Sequence, residues 1–214
     1  MYKRQAEAVL AVKSVLVDLN DAAATLPNSY NSVENITPLE TPLSSTINGA
    51  ALATPVFLSL YAENDLRLDK YFAETDEKGF RKNKKAGSNN YLCTFRVGEI
   101  YLTAAEAAAR LGELSQARTR LLELMRKRYA PEAYEAKSVV VNAMDKEALV
   151  QEILDERARE LAFEGHRWFD LRRSTRPRLE KVLDGTRYVL EENDARYTLA
   201  IPKEAIEANP GLLN

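Results

Sequence analysis

Four glutamates, Glu152, Glu156, Glu160 and Glu164, recur at every fourth position, a spacing that stacks side chains along one side of a helix. Two chemistries use such carboxylates. Glycoside hydrolysis needs a pair about 5–9.5 Å apart across a wet cleft, one of them desolvated. A di-metal bundle site needs Glu-x-x-His on facing helices, and the only histidine, His166, follows Glu164 by two positions, the wrong offset. Five arginines crowd the same stretch, Arg157, Arg159, Arg167, Arg172 and Arg173. Neighbouring cations depress carboxyl pKa values, which suits ion pairs and not a general acid. Arg157 lies at the apolar edge, between Leu154 and Leu161, where an unpaired charge would cost several kcal/mol. The pattern predicts a structural ion network of Arg157, Glu160, Glu164, Arg167 and Asp170. It predicts no catalytic residue, no metal ligand and no cofactor.

The elements that must position these groups are mostly helical. Residues 145–173 carry a buried stripe of Val150, Ile153, Leu154, Ala158, Leu161 and Ala162. Residues 98–128 read as two helices. Ile100, Tyr101, Ala104, Ala105, Ala108 and Leu111 form one face, Gly112 closes the first helix, and Ser115 is expected to cap the second. A turn this short makes the pair antiparallel. Ala105, Gly112, Leu114 and Ala117 take the positions of a tetratricopeptide unit, and no second copy is visible at a 34-residue offset.

The spacing of Val9, Val12, Leu16, Leu19, Ala23 and Leu26 predicts a helix over 6–26, ended by Pro27. Residues 28–55 read as a long connection, and 74–90, with Lys78, Arg81, Lys82, Lys84 and Lys85, as a solvated basic loop. Residues 91–96 read as a short strand in which Cys93 packs as a small hydrophobe. Residues 187–190 and 196–201 are expected to pair as a hairpin, with a helical turn at 204–208. The fold class is thus mainly α, with tetratricopeptide-like helical hairpins, long loops and a small C-terminal β-hairpin.

Composition excludes several classes. Of 214 residues, 45% are hydrophobic and 29% charged, and the net charge of -2 argues against nucleic acid as a partner. One cysteine cannot form an intrachain disulfide. No apolar run is long enough to span a bilayer, and Glu7, Lys13 and Asp18 interrupt any signal-peptide core near the start.

Several segments together resemble the SusD/RagB family of outer-membrane nutrient-uptake lipoproteins. They are Asn64-Asp65-Leu66-Arg67 followed by Tyr71-Phe72, and Arg96-Val97-Gly98-Glu99-Ile100-Tyr101-Leu102 running into Ala105-Glu106-Ala107. Further on come Glu156-Arg157, Glu160-Leu161, Glu164-Gly165, Arg167 and Asp170-Leu171-Arg172-Arg173. Leu199-Ala200-Ile201-Pro202, Ile206 and Asn209-Pro210 close the series, in the family's order over 64–214. The resemblance implies a single SusD-like domain over 1–214. In it an N-terminal helix (1–27) and a loop-rich segment (28–95) precede a helical region (96–214). It further implies non-enzymatic binding of a glycan or oligosaccharide at the bacterial cell surface, and delivery to a TonB-dependent, SusC-like outer-membrane transporter. Membrane attachment would be only through a lipid anchor absent from this chain. Family members are considerably longer, so a C-terminal portion or shortened member is expected.

Sugar binding without catalysis wants aromatic faces ringed by amide and cationic groups. Loops 28–36 and 71–91 offer that mixture, giving Tyr30, Asn31, Phe80, Arg81, Asn89 and Tyr91 as candidate ligand contacts. Tyr71 follows Leu68 at helical spacing and is expected in the core. Two other readings stay open: a tetratricopeptide-type peptide-binding adaptor, and a carboxylate-based hydrolase.

Overall fold

The structure, a computed structural model, describes residues 2–38, 52–85, 94–183, 185–209 and 211. Asn89, Tyr91 and Cys93 therefore lie outside the described residues. The chain divides into two units, Met1–His166 and Arg167–Asn214. Among the described residues no helix is long and apolar enough to cross a membrane.

The first unit opens with α1 (Tyr2–Val12). The helix stops well short of Leu26, a correction to the expected 6–26 span. Beyond Val12 the backbone's polar groups are taken by neighbours outside any helix. Val17 N–H donates to Glu34 at 2.9 Å, the Val17 carbonyl accepts from Arg128 at 2.6 Å, and Leu19 N–H donates to the Lys127 carbonyl at 2.9 Å. Those tertiary bonds override an amphipathic pattern that periodicity alone reads as helix.

Strand β1 (Asn35–Pro38) is followed by β2 (Leu52–Ala53), α2 (Pro55–Leu58) and α3 (Arg67–Tyr71). Next come β3 (Phe72–Thr75), β4 (Arg81–Asn83) and β5 (Thr94–Arg96). β4 lies between β2 and β3, antiparallel to both, and β1 pairs antiparallel with β5, with Asn35 opposite Arg96. The expected basic loop is thus largely a hairpin. Lys78, Lys82 and Lys84 are exposed, but Lys85 at its end is buried.

β5 runs straight into α4 (Val97–Arg110), which pairs with α5 (Leu114–Met125). Gly112, at φ 83°, supplies the left-handed residue that ends α4, and its neighbour Glu113 donates back to Ala108 at 2.9 Å. Ala104, Ala105, Ala108, Ala109 and Ala117 are fully buried, letting the two backbones approach closely. The N-cap is Glu113, with Ser115 inside the helix, because the turn is two residues shorter than the Ser115 cap would need.

Two further helices follow, α6 (Pro131–Ala143) and α7 (Lys146–Glu160). Proline opens α6, and the Asp145 side chain caps α7 by accepting from Ala148 N–H at 2.9 Å. Pro131 stands 34 positions after Val97, the tetratricopeptide period. α6 and α7 nevertheless do not pack on each other as a tetratricopeptide hairpin would; α7 packs instead on α4.

Two apolar clusters result. One gathers α1, α4, α5 and α7 around Leu102, Leu121, Leu124 and Ile153. The other contains Tyr61, Tyr71 and Phe72, with Phe57 and Phe163 packed on it. Phe57, Tyr61, Phe72 and Phe163 meet edge to face at 5.6–6.4 Å between ring centroids. Phe163 sits at φ 61°, a strained conformation for a bulky residue, which the aromatic packing offsets.

The second unit contains α8 (Arg167–Arg173), the antiparallel pair β6 (Leu179–Leu183) and β7 (Thr186–Leu190), a 3-10 turn at Ala195–Tyr197, and α9 (Lys203–Ala208). β7 pairs with the strand before it, not with 196–201 as the sequence reading had it. The Asp-Gly at 184–185 is the stronger hairpin signal. Tyr197, in the 3-10 turn, is buried and stacked on Trp168 at 5.2 Å.

Candidate functional site

The carboxylate ladder faces inward, onto guanidinium groups from elements far along the chain. Glu160, the last residue of α7, is fully buried. It accepts from Arg67 of α3 at 3.1 Å, from Arg96 of β5 at 2.6 Å, and from Arg128, just past α5, at 2.9–3.1 Å. Arg96 also grips Glu164 in a fork, both bonds 2.9 Å, and reaches Glu34 at 3.2 Å. Arg128 donates to Glu34 at 2.5 Å. Arg67 forks onto Asp65 at 2.9 and 2.7 Å and donates to Glu156 at 2.7 Å. Lys85 closes the network on the Glu164 carboxylate and the Glu160 carbonyl.

Local sequence explains each placement. Asp65 and Arg67 flank the single residue Leu66 and so form a fork within one turn. Arg96 ends a strand, so its side chain is delivered by the β1–β5 pairing. Arg67 lies over the Tyr61 ring at 5.9 Å and the Tyr129 ring at 5.1 Å, one from each apolar cluster. The charges thus occupy the seam between two hydrophobic bodies. Gly98, in the first turn of α4, sits directly against them.

The electrostatics follow from the geometry. Burial alone would raise the Glu160 carboxyl, but Arg128, Arg96 and Arg67 hold it well below the usual range. Burial opposes ionisation of Glu156 too, yet Arg67 and Arg159 bring it down to about 2. Glu164 is likewise depressed, against its burial, by Arg96 and Lys85. Burial pulls Lys85 down to about 8, with Glu164 opposing. A general acid must hold its proton near neutral pH and reach a substrate. These three carboxylates are ionised, sealed from water and fully engaged.

Stability must therefore depend on acid. An unfolded glutamate protonates near 4.5 whereas these folded ones keep their charge to lower pH. Their contribution is complete above the unfolded value and is lost as pH falls through the folded ones. A melting series from pH 7 to pH 2 should be nearly level down to about pH 5 and fall steeply below 4.5, toward the value near 2 of Glu156. A level profile down to pH 3 would contradict the pairing.

Of the five residues expected to share a network, Glu160 and Glu164 occupy its centre. Arg157 is buried, 3.4 Å from the Thr103 hydroxyl and 3.9 Å from Glu99. Asp170 is buried within the second unit and accepts from Arg173 at 2.6 Å, and Arg167 begins α8. Sequence reasoning did not place Glu34, Lys85, Arg96 or Arg128 in the network. Only the Asp65-x-Arg67 pattern gave a local signal.

The candidate sugar contacts are differently placed. Tyr30 is 44% exposed and Asn31 is exposed, on a turn pinned by Asn35, whose amide donates to the carbonyls of Ser29 (2.5 Å) and Tyr30 (2.6 Å). Phe80 and Arg81 are half-buried on the β3–β4 hairpin, and Arg81 donates to Thr75 at 3.0 Å and Asp69 at 3.1 Å. Asn28 ties the two loops, its amide donating to the Lys85 carbonyl at 2.7 Å. The structure thus holds both loops on the same charged seam through Lys85 and Glu34. Tyr71 is wholly buried, with Lys85 Nζ 4.4 Å from its ring centre. Among the described residues no His, Cys, Asp and Glu cluster is arranged to hold a metal ion.

Comparison with known proteins adds three findings. Residues 52–214 match the model of the SusD family. The structure is similar to that of a SusD superfamily protein from Bacteroides thetaiotaomicron, with a TM-score of 0.70 and 21% identity over 98% of this chain and 55% of that one. It is also similar to a SusD-like carbohydrate binding protein from Bacteroides vulgatus, with a TM-score of 0.65 and 17% identity over 97% of this chain and 54% of the other. The chain thus spans just over half the length of each of these structures. A search of curated proteins finds no match.

Proposed function

Because this chain belongs to the SusD family, we propose that it binds a glycan or oligosaccharide without cleaving it. It would do so at the bacterial outer surface, passing the bound sugar to a TonB-dependent, SusC-like outer-membrane transporter. The observation that carries the reading is the family match over 52–214. One structural neighbour being a carbohydrate binding protein supports it. The lack of cleavage is supported by the carboxylate ladder, whose buried members are neutralised by guanidinium groups and closed to a substrate. Tyr30 and Phe80 would offer ring faces, and Asn31 and Arg81 polar groups for hydroxyls, with Asn89 and Tyr91 as further candidate contacts from the sequence.

Electrophoresis through gels containing soluble polysaccharides tests this. At least one polysaccharide should retard the protein. Tyr30→Ala and Phe80→Ala should each weaken the retardation about three- to ten-fold, since an aromatic contact contributes roughly 0.5–1.5 kcal/mol. No retardation by any polysaccharide, or release of reducing ends from one, would overturn the reading. Transporter delivery is checked by pull-down from native membranes, where a copurifying β-barrel is the expected partner and its absence counts against the handover.

A further inference from the structure

A groove of ≈ 510 Å³ lies where α4, α5 and the start of α6 meet the extended stretch after α1, away from the loops discussed above. Its volume is within the roughly 300–1,000 Å³ of small-ligand sites. Leu16, Leu122 and the Tyr101 ring make it partly apolar, and the Tyr101 hydroxyl is already committed, donating to the Ser14 carbonyl at 3.1 Å. Ser14 and Thr119 also line it, the Thr119 hydroxyl donating to the Ser115 carbonyl at 3.0 Å. This combination of apolar surface and small polar groups suits a ligand with both a hydroxylated edge and an apolar ring face.

The charges in the lining do not cancel. Glu123 is held by Arg120 at 2.8 Å, and Lys127 by Asp18 at 2.8 Å. Arg126 is different: among the described residues no carboxylate pairs with it. Its guanidinium instead lies over the Tyr134 ring, 5.2 Å from the centroid. The ring contact restrains the guanidinium, and a guanidinium is the side chain suited to take a carboxylate in a bidentate grip. A carboxylate on the occupant would give this exposed guanidinium the partner that Lys127 and Glu123 already have.

We propose that this groove is a second ligand site, for an oligosaccharide that carries a uronate, with the uronate carboxylate against Arg126. The sugar identity rests on the glycan-binding reading; the requirement for an acid is the groove's own. Calorimetric titration of the whole chain with trigalacturonate and with its fully methyl-esterified form provides the test. The acid should bind about ten-fold more tightly than the ester, the gain of one charge-assisted bidentate contact. Arg126→Gln should abolish the preference, and Arg110→Gln, an exposed arginine paired with Glu106, should keep it. Equal affinity for acid and ester, or a preference that survives Arg126→Gln, overturns the proposal. Retardation by neutral polysaccharides without any acid preference would overturn it and leave the glycan reading standing. Failure of every glycan to bind would end both.

Discussion

Replacing Glu160 with alanine should strongly destabilise the first unit. Three buried guanidinium groups, those of Arg67, Arg96 and Arg128, converge on this carboxylate. Removing one member of a buried ionic cluster strands the others, at about 3–5 kcal/mol. A domain's whole stability is roughly 5–15 kcal/mol. The melting temperature should therefore fall by about 6–20 °C, given roughly 2–4 °C per kcal/mol at this size. Thermal melting followed by circular dichroism measures it, and a variant that melts with the wild type would show that Glu160 is not the keystone. Glu160→Gln keeps the shape but not the charge, so it should fall on the same side.

Gly98→Ala is the second change with a large expected effect, and its sign opposes helix propensity. In the interior of an exposed helix the substitution would gain about 1 kcal/mol. Here the new Cβ would stand 2.5 Å from Arg96 Nη1 and 3.1 Å from both Glu160 Oε1 and Glu34 Oε2. Arg96 cannot swing aside cheaply, because its Nε and both terminal nitrogens are all engaged with carboxylates or a carbonyl. Overpacking costs about 1–3 kcal/mol, and displacing charges from one another adds to it. Urea unfolding should show a midpoint clearly below that of the wild type. A stabilised Gly98→Ala would mean that the seam is looser than its distances imply.

How much of this was legible in the sequence differs by element. The α4–α5 pair was readable because Gly112 and the buried alanines are local signals of a turn and a close approach. The placement of α7 was not, since packing against α4, not a turn signal, holds it. The length of α1 was misread because the groups that draw Val17 out of a helix, Glu34 and Arg128, lie elsewhere in the chain. The same physics governs the charged seam. The crowding of glutamates announced that arginines must answer them, but the helix's own arginine answers chiefly Glu156 and Glu152, through Arg159. Glu160 and Glu164 are answered by Arg67, Lys85, Arg96 and Arg128, which no spacing rule connects to α7. Lys85, in a lysine-rich run that reads as solvated, is the sharpest example: Lys82 and Lys84 before it are exposed and it is not. For the sugar-contact candidates, sequence offered residue types, and the structure adds the anchors, Asn28 and Asn35, that fix the backbone beneath them.

The seam also has a kinetic meaning. Arg96 and Glu160 are 64 positions apart, and Arg128 and the Val17 carbonyl 111 apart. Contacts so remote raise contact order, and the loop-closure entropy must be spent before any of them forms. The α4–α5 hairpin can assemble early from neighbouring residues. The ionic junction can lock only late, once nearly every segment of the first unit has arrived, so a chain still lacking α7 would have solvated arginines waiting for a counter-charge not yet in place.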